Sequence, residues 1–86
     1  MKSMRKAGRA LKQVLQLHNI SQNQLAVLLG IDRATVYKWF HGKREPNSET
    51  IVEITRALKR IKFEAAENFV QFYLGDILEE ETPSQD

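Results

Sequence analysis

Apolar residues recur at three- and four-residue spacing along almost the whole of this chain. Met4, Ala7, Leu11, Val14 and Leu15 begin the series. Such spacing puts them on one face of a helix over residues 4–18. The alternating, β-branched segments that mark strands are absent. The fold open to the chain is therefore all-α. At 86 residues it is one domain, whose core must come from well-patterned elements packed closely.

The breaks between periodic segments are equally legible. Asn19 can end the first helix in a left-handed turn. Ser21-Gln22-Asn23-Gln24 has capping-box spacing and opens a short second helix with Leu25, Leu28 and Leu29 inward. Gly30 stops it, because only glycine enters the left-handed region without penalty. Asp32 is a suitable N-cap for a third helix, Arg33 to about Phe40, which Gly42 closes. After a loop containing Pro46, Ser48 is expected to cap a fourth helix with Ile51, Ile54, Leu58 and Ile61 on one face. A fifth helix runs from Phe63 to about Ile77, and neither Gly nor Pro marks its boundary with the fourth.

The net charge of +2 conceals a separation. All thirteen Lys and Arg lie in residues 1–62, beside the four acids Asp32, Glu45, Glu49 and Glu53, a net of +9. Residues 63–86 hold seven acids and no Lys or Arg, a net of −7. Charge alone leaves two readings: a polyanion-binding body with a repelled tail, or a solvated surface with a solubilising end.

The third helix alone does not decide for the first, because an ordinary amphipathic helix also has a solvated polar face. At about 100° per residue, Val36, Trp39 and Phe40 gather on the inward side, and Ala34, Tyr37, Lys38 and His41 fall on the opposite one. Arg33 lies in the first turn. A methyl, a phenol, an ammonium and an imidazole suit a major groove, which offers donors, acceptors and the thymine methyl.

Two short helices joined by Gly30-Ile31-Asp32 form an angular pair. With Gln22 as first residue of the motif, Ala26 is fifth, Gly30 ninth, Val36 fifteenth and Trp39 eighteenth. This resembles the Cro and phage-repressor (XRE-type) helix-turn-helix family. The small fifth residue lets the helices approach, the ninth makes the turn, and the other two fill the space between helices. The stretch SQNQLAVLLGIDRATVYKWFHGKREPNSETI also carries a Gly after the third helix, a basic loop ending in Pro and a capped fourth helix. The similarity runs over about residues 11–61.

The resemblance implies a compact five-helix, lambda-repressor-like domain with helices 2 and 3 as the helix-turn-helix. It implies double-stranded DNA as partner and transcription regulation, by a repressor on a short operator. Arg33, Ala34 and Lys38 take positions that read base edges, with Tyr37 beside them. Arg33 would take the two acceptors of guanine and Ala34 a thymine methyl. Gln22, at the start of the second helix, and His41, Lys43 and Arg44 would contact phosphates. One departure stands out. The family often pairs an Arg in the first helix with a Glu near the end of the third; here those positions hold Leu15 and Phe40. Replacing both charges together need not destabilise, because neither is left to be desolvated alone.

The fifth helix has more apolar surface than one contact needs. Phe69, Phe72 and Tyr73 are the expected surplus, and exposed aromatics mark interfaces. A homodimer through this helix would set two third helices about one DNA turn apart, roughly 34 Å. The expected division is thus a DNA-binding domain over 1–62, a dimerisation helix over 63–79 and an acidic flexible tail over 80–86. The alternative is an antitoxin-like interaction module, binding another protein through the same helix, with DNA binding secondary.

Other classes find no support. There is no cysteine, and His18 and His41 lack metal-ligand spacing, so neither a metal nor another cofactor is expected. No paired carboxylates or Gly-rich phosphate loop point to an enzyme. The basic start MKSMRKAGR is followed by no apolar signal core, and no run approaches the roughly 20 residues that span a bilayer. A cytoplasmic, nucleoid-associated protein is expected.

Overall fold

The computed structural model describes residues 6–79. Five helices follow one another: α1 (Lys6–Leu17), α2 (Gln22–Leu29), α3 (Arg33–Phe40), α4 (Ser48–Ile61) and α5 (Phe63–Glu79). No strand occurs among the described residues. The all-α, five-helix expectation holds. The expected acidic tail over 80–86 lies outside the described residues, as does Met4.

The first three helices end by one device. Asn19, Gly30 and Gly42 have φ of 58°, 71° and 66°. Each turns the chain so that the next amide reaches back five residues: Ile20 N–H to Leu15 C=O (2.8 Å), Ile31 N–H to Ala26 C=O (3.1 Å) and Lys43 N–H to Lys38 C=O (2.9 Å). These bonds satisfy carbonyls that the helix leaves open and make each turn abrupt.

The starts differ more from expectation. Ser21 caps α2 through its Oγ, which accepts from Gln24 N–H at 2.9 Å. Asp32 has the extended backbone of a cap, but its carboxylate makes no capping bond. Its main-chain carbonyl accepts from Thr35 N–H instead, at 3.0 Å. Ser48 is not the cap of α4. Asn47 is, its Oδ1 accepting from Thr50 N–H at 2.8 Å, and Ser48 is the first helical residue. Between α4 and α5 the break is a single extended residue, Lys62 (φ −165°, ψ 124°).

Each helix sends at least one side chain completely inside: Leu11 and Val14, Leu25, Val36, Ile54 and Leu58, and Phe69. Burying such a side chain is worth about 1.5–3 kcal/mol. α5 packs across α1 and α4, α2 on α3 and α4, and α1 on α3. Polar ties among the described residues also link distant parts of the chain. Ala7 N–H, at the start of α1, donates to Glu45 Oε2 at 3.3 Å. His18 Nε2 and Asn68 Oδ1 stand 2.8 Å apart, joining the end of α1 to α5.

The expected exposure of α5 needs correction. Phe69 is 0% exposed and belongs to the core; its ring stacks on Tyr73 with centroids 5.9 Å apart. Phe72 and Tyr73 are half-buried against that core. The small pair Ala65 and Ala66, both buried, lets α5 settle on this side. The apolar surface left outside is another stripe: Phe63, Val70 and Leu74, at 60%, 40% and 45% exposure.

Candidate nucleic-acid interface

α3 is held by one side. Val36 and Trp39 are buried, and Phe40 packs partly buried against the same core. The opposite row, Arg33, Ala34, Tyr37, Lys38 and His41, is exposed throughout. A helix fixed by its apolar side presents the other at a defined height and rotation, which recognition by base edges requires.

α2 supplies a wall beside this row. One open groove is lined by Ser21, Gln22, Asn23, Arg33, Ala34 and Tyr37. It brings Gln22 together with three of the four expected base-reading residues. Ala26, buried at 2% exposure, sits where α2 must approach its neighbours. Ser21 and Asn23 also line this groove, although the sequence marked Ser21 only as a cap. Their place beside Gln22 was the available signal.

The residues expected to contact phosphate beyond α3 separate. Lys43 follows Gly42 directly, pinned by its amide to the carbonyl of Lys38 and exposed. Arg44 lines a different cleft, with Trp39, Pro46 and Glu53. His41 lies against Tyr37, ring centroids 4.0 Å apart and tilted by 43°. Two acids of the body are engaged elsewhere: Glu45 takes the Ala7 amide, and Glu53 pairs with Arg56 at 3.5 Å in solvent.

A helix-turn-helix family model matches residues 11–64, more than half of the chain. No curated protein and no solved structure matches it. The match spans the groove, the α3 row and α4. A domain of this family implies DNA as partner and transcription regulation as role, and the family is not a catalytic one. No helix among the described residues is long and apolar enough to cross a membrane. From the angular turn at Gly30 to the exposed row of α3, and by the family match over 11–64, this chain belongs to the Cro/phage-repressor (XRE-type) helix-turn-helix family.

Proposed function

We propose that this protein is a cytoplasmic, nucleoid-associated transcription repressor that occupies a short operator as a homodimer, with α3 in the major groove. One observation carries the reading: Arg33, Ala34, Tyr37 and Lys38 form an exposed row on a helix whose other side is buried. Arg33 reads guanine, Ala34 meets a thymine methyl, and Tyr37 and Lys38 reach neighbouring edges. Gln22, Lys43, Arg44 and the charge of the body set register through phosphates. Occupying promoter DNA suffices for repression.

The dimer is proposed through the outer stripe of α5, Phe63, Val70 and Leu74, with Tyr73 at its inner edge. An isologous contact of two such stripes would align two recognition helices about 34 Å apart along one duplex. The acids of α5 support placing this helix away from phosphate. The same exposed stripe supports a second reading, an antitoxin-like module whose α5 holds a different protein.

Selection from random duplexes at a stated salt concentration tests the first reading. It should enrich a two-fold symmetric site with half-sites about 10 bp apart, bound less tightly as salt rises. An unenriched pool overturns it. Stoichiometric co-purification of another protein, with salt-independent DNA affinity, favours the second.

A further inference from the structure

Tyr37 presents a difficulty for a base reader. It is 49% exposed and stands apart from the residues packed on the core. An exposed side chain must lose its rotamer freedom when it docks, and that loss weakens the contact it makes. The structure supplies a support one turn on. His41 is the residue that follows α3, with φ −97° and ψ 12°. Its own amide donates to the Tyr37 carbonyl at 3.0 Å. Next, Gly42 turns left-handed, its amide reaching Trp39 C=O at 3.1 Å, and the Lys43 amide reaches Lys38 C=O. The backbone of His41 is thus fixed on both sides by the closure of the helix. Its imidazole is delivered onto the phenol ring, centroids 4.0 Å apart.

We propose that His41 is a positioning residue for base readout: its ring holds Tyr37 in the orientation that meets the major groove, and this, rather than phosphate contact, is its main contribution to recognition. The proposal rests on the reading of Tyr37 as a base reader. Two substitutions separate the properties of the imidazole. His41→Phe keeps a ring and removes both ring nitrogens. His41→Lys supplies a phosphate-binding cation and removes the ring. Both change an exposed side chain and leave the turn at Gly42 intact.

The experiment measures affinity for the selected duplex and for duplexes changed at single base pairs, at several salt concentrations. The base pair that Tyr37→Ala desensitises is identified first. His41→Phe should keep the preference there, whereas His41→Lys and His41→Ala should lose about two- to tenfold of it, the size of one aromatic pair. In a Tyr37→Ala background, His41→Ala should change that preference no further. A His41→Lys variant that keeps the preference, or a His41→Phe variant that loses it, overturns the proposal and leaves the DNA reading standing. A Tyr37→Ala variant with unchanged preference at every base pair overturns the underlying reading of Tyr37 itself. Ring resonances in the free protein give an independent check, with only two tyrosines to assign. Those of Tyr37 should shift in His41→Ala, and unmoved resonances contradict the contact.

Discussion

Gly8 of α1 lies against the main-chain carbonyl of Trp39 in α3. A Cβ on residue 8 would stand 3.1 Å from the carbonyl carbon of Trp39 and nearer still to its oxygen. The obstacle is backbone, so no side chain can rotate away. This absent methyl seats α1 on the end of α3 and helps set the height of the exposed row.

Gly8→Ala therefore opposes two effects. Helix propensity favours Ala by about 1 kcal/mol. Overpacking a close contact costs about 1–3 kcal/mol, and a contact with backbone lies at the upper end. Net destabilisation is expected, visible as a lower urea midpoint. A raised midpoint would mean that α1 and α3 are not this close.

Asn47 and Ser48 differ in consequence although either could cap by type. Asn47→Ala should cost about 1 kcal/mol, because the Thr50 amide loses its acceptor. Ser48→Ala should stay within about 0.5 kcal/mol. Denaturation of both variants checks this, and the reverse order would move the start of α4.

The helices and their sharp ends were legible because each depends on residues close in sequence. Asn19, Gly30 and Gly42 all occupy the left-handed region where their type and place pointed. The cap of α4 was misassigned by one residue, since Asn47 and Ser48 are both good caps and only the observed dihedrals choose. Phe69 was misread because an aromatic on α5 can face in or out at nearly the same periodicity. The depth of the Ala65–Ala66 seat decides, and that depends on α1 and α4. Gly8 was illegible for the same reason: its constraint comes from a carbonyl 31 residues away in sequence. The exposed row of α3 was visible, because it is the complement of the apolar face of that helix.

The two sides of α5 should respond oppositely. Phe69→Ala opens the core and should destabilise by about 3–5 kcal/mol. Leu74→Glu alters an exposed position and should change the fold little while disfavouring self-association. Light scattering beside thermal unfolding separates the two effects. A Leu74→Glu protein as dimeric as the wild type would remove the outer stripe as the interface.

Leu15 is nearly buried and Phe40 half-buried in the shared core of α1 and α3. Phe40→Glu should destabilise by roughly 1–3 kcal/mol, since the carboxylate must leave its packing site or stay there unpaired. Adding Leu15→Arg should recover part of that loss by restoring the pair common in the family. Strict additivity of the two losses would show that the positions do not meet.

The most direct test of α3 in the major groove is dimethyl sulfate protection on the selected operator, which reports guanine N7 in the major groove and adenine N3 in the minor. Wild-type protein should protect guanine N7 in two patches one turn apart. Arg33→Ala should free one guanine in each patch and weaken binding by about 1–3 kcal/mol at that base pair. Lys43→Ala should leave the pattern intact, weaken all duplexes alike and lower the salt slope by about one. Protection confined to adenine N3, or an Arg33→Ala pattern identical to the wild type, would contradict the assignment of α3 as the reading helix.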